Sequence, residues 1–133
     1  MATANEERGE VSVELGRKTY VMRPSFTAIQ SIEKQTGLSL RQLAIAANSM
    51  SMDLATMGVV TGELIRAGAA DGDVGAQLGE AERFSQLIYE KGVPTVAARL
   101  TIVLTAALTG GATVEGELKP VPTKPARGTG TGD

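Results

Sequence analysis

The apolar residues of this chain follow two different periods, and the change falls near Arg23. From Val11 to Met22 apolar and polar side chains alternate, which is typical of paired β-strands with one covered face. From about Phe26 to Gly110 apolar residues recur every three or four positions, which indicates amphipathic helices. The pattern therefore predicts a mainly α protein with a small N-terminal β-hairpin, an α+β fold forming one compact domain.

The predicted hairpin spans residues 10–23. Gly16 and Arg17 lie between the two alternating runs, and glycine at the first central position favours a type II′ turn. A two-residue turn at this point places Val13 opposite Tyr20, so the apolar side chains share one face. That face consists of Val11, Val13, Leu15, Tyr20 and Met22.

Pro24 and Ser25 are predicted to form the corner between the hairpin and the first helix. Proline ends a strand ladder because it has no N–H, and serine is a preferred helix N-cap. The apolar side of the helix carries Phe26, Ile29 and Ile32, and a two-stranded hairpin needs such a cover to be stable. We therefore expect these side chains to pack on the hairpin, and Phe26→Ala to cost about 3 kcal/mol or more.

Helix start and stop signals divide the following residues into about five helices. Ser39 and Gln42 have the spacing of a capping box, and Asp53 is a predicted N-cap. Gly58 and Gly62 interrupt the third helix, where glycine usually permits close approach of another helix. The predicted helices span about 26–36, 40–48, 54–67, 80–91 and 95–109.

The remaining segments are predicted to lack regular structure. Residues 68–79 form a glycine-rich internal linker, the segment in which mobility is most expected. Residues 1–8 are polar and are predicted to be a disordered N-terminus. Residues 112–133 contain many prolines and glycines and few apolar side chains, so we expect a disordered tail. The globular domain then spans residues 9–111.

Composition indicates a weakly stabilised core. Hydrophobic residues make up 42% of the chain, but it contains only two Phe, two Tyr and no Trp. A core of Ala, Leu, Val, Ile and Met buries little area per residue, and small domains of this kind are marginally stable. This favours association with a partner or with further copies of the chain as a homo-oligomer.

Charge and residue types exclude several functions. A net charge of −2 argues against nucleic-acid binding, including by a small helical DNA-binding regulator. The chain has no His and no Cys, which removes imidazole bases, thiol nucleophiles and the usual zinc sites. We expect no enzyme activity, no catalytic residues and no cofactor. The sequence shows no signal peptide and no membrane span, so a cytoplasmic protein is expected.

The best candidate for metal chemistry is an acidic segment near residue 72. Asp71, Asp73 and Glu82 have the spacing of calcium-loop ligands at positions one, three and twelve. Gly75 replaces an oxygen ligand, however, and Ala76 stands where the loop requires glycine. We therefore predict a solvated acidic loop and no metal site.

Met50, Met52 and Met57 are the candidate partner-binding residues. Methionine is common on surfaces that bind varied apolar partners, and the first two lie in a loop between helices. The alternative is that these side chains fill gaps in a core that has few aromatic residues.

The order of these segments resembles the small tail protein of gene transfer agents and siphophages, within the tail assembly chaperone group. Some members are described as tail tube proteins. The similarity covers about residues 10–108 and is most specific over residues 9–43. The runs that carry it are GEVSVELGRKTYVMRPSF, TAIQSIEKQTGLSLRQLA, VVTGELIRAGA and IYEKGV.

The resemblance implies a chaperone that binds the tape measure protein in the bacterial host cytoplasm and recruits tail tube protein. In related systems a translational frameshift appends a second domain, for which the C-terminal tail would be a suitable linker. The alternative is a structural tail component, a tube or connector subunit retained in the virion. A tube subunit normally needs a large β-sheet. Because only one hairpin is predicted, we rank this alternative below the chaperone.

Overall fold

The computed structural model describes residues 4–5 and 9–110 of the chain. Within that part, an antiparallel hairpin precedes six helices, which confirms the predicted α+β class. The predicted tail lies outside the described residues. The strands are Val11–Leu15 (β1) and Lys18–Met22 (β2), and the helices are Phe26–Thr36 (α1), Leu40–Asn48 (α2), Leu54–Gly68 (α3), Val74–Leu78 (α4), Ala81–Lys91 (α5) and Val93–Leu108 (α6).

The hairpin has the predicted register. Val13 lies opposite Tyr20, and Leu15 lies opposite Lys18 beside the two-residue turn. The backbone φ of Gly16 is +62°, whereas Arg17 has no positive φ, and these are the φ signs of a type II′ turn. The glycine turn and the apolar alternation, both local features of the sequence, therefore determine the register of this hairpin.

The predicted cover of the hairpin was wrong. β2 packs on α3, and β1 packs on α6 and α5. The N–H of Arg23 donates to the carbonyl oxygen of Leu64 at 2.9 Å, which attaches the end of β2 to α3. Helix α1 packs chiefly on α3, with Ile32 buried and Ile29 partly buried. Phe26 is 78% exposed, whereas Ala28 in the same turn of α1 is buried, so this turn directs Phe26 to solvent.

The predicted helix caps are present. Ser25 Oγ accepts a hydrogen bond from the N–H of Ala28 at 3.1 Å. Ser39 and Gln42 form a reciprocal capping box, and Asp53 accepts from the N–H of Thr56 at 2.7 Å. Such bonds satisfy N–H groups that have no partner in the first turn of a helix, which is why these helices begin where the sequence indicated.

Close packing around α3 depends on residues without side chains. A methyl group at Gly58 would collide with the carbonyl oxygen of Ala81 and the hydroxyl of Ser85, so α3 and α5 meet through backbone. A methyl group at Gly68 would collide with the carbonyl of Val21 in β2. α3 thus contacts a helix and a strand at distances that any larger residue would prevent.

The core is built mainly from aliphatic side chains around one aromatic pair. Phe84 is fully buried on α5, and its ring meets Tyr20 edge to face with centroids 5.7 Å apart. This pair joins the hairpin to α5. The largest other fully buried side chains are Leu15, Met22, Ile32, Leu43, Met57, Leu64, Ile65, Ile88, Leu100 and Leu104.

The predicted linker 68–79 differs from the prediction because it contains α4, whose N-cap is Asp73. Leu108 is 46% exposed at the end of α6. Of the predicted disordered N-terminus, residues 1–3 and 6–8 lie outside the described residues, and Asn5 is hydrogen-bonded to Glu10.

Across residues 4–5 and 9–110, no single helix is long and apolar enough to cross a membrane. Helices α5 and α6 together have the length and apolar composition of a span, but the two helices are bent by 119° relative to each other.

Candidate functional site

The three candidate methionines do not form one exposed surface. Met50 is 57% exposed and has a φ of +56°. Met52 is only 8% exposed, and Met57 is 1% exposed. Gap filling in the core, the alternative interpretation, fits Met52 and Met57, which leaves Met50 as the single methionine of the three that a partner could contact.

The residues of the predicted corner have structural positions. Pro24 is buried directly after the hairpin, and Ser25 caps α1 through its hydroxyl. Ile32 lies in the core and Ile29 packs against it. Phe26 alone of this set is exposed, so it is the one corner residue that is accessible to another molecule.

The acidic segment is organised around a helix cap. The Asp73 carboxylate accepts from the N–H of Ala76 at 3.2 Å and forms an ion pair with Lys18 at the hairpin turn. The hydrogen bond from Lys18 lowers the pKa of Asp73 below its ordinary value of 3.8, and the bond from Ala76 acts in the same direction. Among the described residues no group of three or more acidic, His or Cys side chains could hold a metal ion.

Eight large apolar side chains are exposed in the described part of the chain. Single exposed apolar residues are normal on protein surfaces, whereas adjacent ones indicate an interaction site. The eight are Phe26, Ile45, Met50, Val74, Leu78, Tyr89, Ile102 and Leu108.

Val74 and Leu78 form an adjacent pair on α4. They are 60% and 73% exposed, and residues four positions apart lie on the same side of a helix. Both line an open cleft of about 320 Å³ between α4 and the start of α5. Glu80 and Arg83 also line the cleft, so an apolar surface is bordered by one acidic and one basic side chain.

The way α4 packs on the core explains why Val74 and Leu78 are exposed. Ala76 on the opposite side is 3% exposed and belongs to the core. The Arg66 guanidinium donates to the carbonyl oxygens of Gln77 at 3.1 Å and Gly79 at 3.2 Å. Because α4 is fixed by these contacts, its outer side presents two apolar side chains to solvent.

The exposed pair Val74 and Leu78 was not predicted, because α4 lies in a glycine-rich segment. The signal that could have found it is Asp73, an N-cap residue directly before Val74. Five residues are too few for a periodic apolar pattern, so the cap was the only strong local sign of a helix.

A second cleft lies between β1 and α6, with a volume of about 340 Å³. Val11 and Ser12 line it from the strand, and Ile102 and Ala106 line it from the helix. Ala4, Gly9, Glu10 and Arg99 complete its lining.

The chain matches no family model, no curated protein and no solved structure. The fold and the clefts define a small helical protein with exposed apolar side chains.

Proposed function

We propose that the protein is a phage-type tail assembly chaperone that binds the tape measure protein and assists tail tube assembly without catalysis. The observation that carries the proposal is the exposed Val74 and Leu78 pair beside the α4–α5 cleft. The identity of the partners, the tape measure and tail tube proteins, rests on the sequence resemblance.

A binder of apolar helical segments accounts for this surface. Two adjacent exposed apolar side chains gain free energy when a partner covers them, at about 25 cal/mol per Å² of apolar area removed from water. Amphipathic helices bind to apolar grooves through side chains at intervals of three and four residues. A long helical protein such as the tape measure presents many such segments, and binding would keep them in solution within the host cytoplasm.

Co-expression with the tape measure protein from the same gene cluster tests the function. The chaperone should raise the soluble fraction of the tape measure protein and purify with it as a complex. Absence of a complex on co-purification would overturn the proposed function, as would recovery of the protein in purified particles, which the structural-component alternative predicts.

A surface variant tests the site separately. Val74→Ser combined with Leu78→Ser should weaken binding about tenfold or more, because the apolar contact is lost. Tyr89→Ser is the matched control, since Tyr89 is 71% exposed on α5 and does not line the cleft. Equal binding by the double variant and the wild type would exclude this cleft while leaving the function intact.

A further inference from the structure

Helix α4 contributes little apolar surface to the core. Of its five residues only Ala76 is buried, whereas each of the other helices buries at least two residues. Burial stabilises an element in proportion to the apolar area removed from water, and one methyl group supplies little of it. A helix this short is also unstable without tertiary packing. Its attachment to the protein therefore depends mainly on other contacts.

The contacts that hold α4 in place are mostly exposed polar ones. Arg66 of α3, which donates to the carbonyl oxygens of Gln77 and Gly79, has a side chain that is 44% exposed. Lys18, the ion-pair partner of Asp73, has a side chain that is 43% exposed. Exposed ion pairs and hydrogen bonds add little stability, because water competes for the same groups. These contacts orient α4 more than they stabilise it.

The end of α4 covers the tip of the Phe84 ring. A methyl group at Gly79 would lie 2.6 Å from Cε2 and 2.7 Å from Cζ of Phe84, so the backbone after α4 lies directly against the ring. The same ring also lies against Gly62 of α3 and meets Tyr20 of β2 edge to face. Because α3 and β2 pack on each other, they can hold Phe84 in place without α4.

Glycines stand at both ends of this segment. Gly72 has a φ of +85°, and a methyl group there would have no neighbour within 4 Å. Gly79 directly follows α4. Hinge motions are absorbed by a few residues at the ends of an element, and glycine accepts the widest range of backbone angles. The chain can therefore turn on either side of α4 without a steric penalty from side chains.

We propose that residues 73–78 form a lid that opens as a unit about Gly72 and Gly79 while α3, α5 and the hairpin stay folded. The structure shows the closed state. In the open state the contacts from Arg66 and Lys18 are broken, and the tip of the Phe84 ring becomes accessible to solvent. A local opening that loses few buried contacts requires far less free energy than global unfolding.

Opening enlarges the apolar surface at this place. Val74 and Leu78 already face solvent in the closed state, and Phe84 adds an aromatic surface next to the same segment when α4 moves away. The open state therefore offers an apolar ligand more contact area than the closed state. The inference concerns the protein without a partner and does not depend on the proposed function.

Thiol labelling tests the lid, because the chain contains no cysteine of its own. Ala76→Cys places a thiol under the lid, and Ala97→Cys on α6 is the matched control, since both alanines are 3% exposed. An aromatic disulfide reagent should modify the folded full-length Ala76→Cys at least about a hundredfold faster than Ala97→Cys. Below the unfolding midpoint, only the rate for Ala97→Cys should rise steeply with urea, because a local opening exposes little surface.

Loss of the Arg66 contacts should favour the open state. Arg66→Ala should raise the labelling rate of Ala76→Cys about fivefold or more, relative to that of Ala97→Cys in the same background. Glu63→Gln is the control, because it removes the charge that pairs with Arg66 and leaves both bonds from Arg66 to the α4 segment in place.

Two results would overturn the lid. Equal urea dependence of labelling in Ala76→Cys and Ala97→Cys would show that α4 opens only when the whole protein unfolds. Labelling of Ala76→Cys at the rate of the urea-unfolded chain would show that α4 does not cover this position.

Amide hydrogen exchange in the wild type provides the same test if a cysteine variant fails to fold. The N–H of Gln77 donates to the carbonyl oxygen of Asp73 at 3.0 Å within the lid. Exchange of this amide that is faster than exchange in the middle of α6 and independent of urea supports the lid. Exchange at the rate of global unfolding overturns it.

Discussion

The two phenylalanines have opposite environments. Phe26 is 78% exposed at the start of α1, whereas Phe84 is fully buried against Tyr20. Phe84→Ala should lower the free energy of unfolding by about 3–5 kcal/mol, because it removes buried area and leaves a cavity. Phe26→Ala should change it by less than about 0.5 kcal/mol. Urea unfolding of both variants measures the difference, and comparable losses would contradict the observed docking of α1.

Thr61 carries a buried hydroxyl without a hydrogen-bond partner among the described residues. It is fully buried on α3. A buried unpaired hydroxyl costs about 1–3 kcal/mol, and valine has nearly the same shape without it. Thr61→Val should therefore raise the free energy of unfolding by about 1 kcal/mol.

Thr61→Ser is the control for this variant, because it keeps the hydroxyl and removes the methyl group. It should lower stability by about 1 kcal/mol in the same denaturation assay. A loss of stability in Thr61→Val would mean that the hydroxyl has a stabilising partner in solution.

At the scale of elements, α3 and α5 are held together through glycine. Gly58→Ala should lower the free energy of unfolding by about 1–3 kcal/mol or more, because its methyl group would collide with the Ala81 carbonyl. Gly75→Ala on α4 is the matched control, since its nearest neighbour would be 3.7 Å away. That variant should gain up to about 1 kcal/mol through helix propensity. Thermal unfolding that ranks the two variants in the reverse order would contradict the close approach.

Local elements could be predicted from the sequence, and their docking could not. The hairpin register, the Ser39–Gln42 capping box and the Asp53 cap depend on residues a few positions apart, and all three are present. The choice of α3 over α1 as the main support of the hairpin depends on contacts between residues distant in sequence. Apolar periodicity shows that a face is covered, but it does not show by which element.

The candidate site was also predictable only as far as it depends on local sequence. The three methionines were singled out by residue type, and burial separated them, because Met57 lies on the covered side of α3 and Met52 lies in the core. Val74 and Leu78 were missed because a helix of five residues leaves little periodic signal. Exposure of an apolar side chain is a property of the assembled protein, so residue type alone could not identify this surface.

At the scale of the whole molecule, an ion pair joins the hairpin to the helical part. Lys18 in β2 binds Asp73 at the N-terminus of α4. The pKa of Asp73 is lower in the folded protein than its ordinary value of 3.8, so folding favours the carboxylate. The resulting stabilisation is present above that value and is lost as the pH falls through the lower folded pKa.

Asp73→Asn should therefore flatten the decline in stability between about pH 5 and pH 2. Urea midpoints measured across this range compare the variant with the wild type. Asp71→Asn is the control, because Asp71 is an exposed carboxylate two residues earlier. An identical acid profile for Asp73→Asn and the wild type would show that the ion pair contributes nothing to the pH dependence.

The central position of α3 sets an order for folding during synthesis. β2 is complete at Met22, but its support, α3, ends only at Gly68, and α5, which also packs on α3, ends at Lys91. Ribosomes add about 5–20 residues per second, so the apolar face of the hairpin remains exposed for seconds before α3 has been synthesised. Productive folding of the nascent chain is therefore expected late, after α3, α5 and α6, which all contact the hairpin, have emerged.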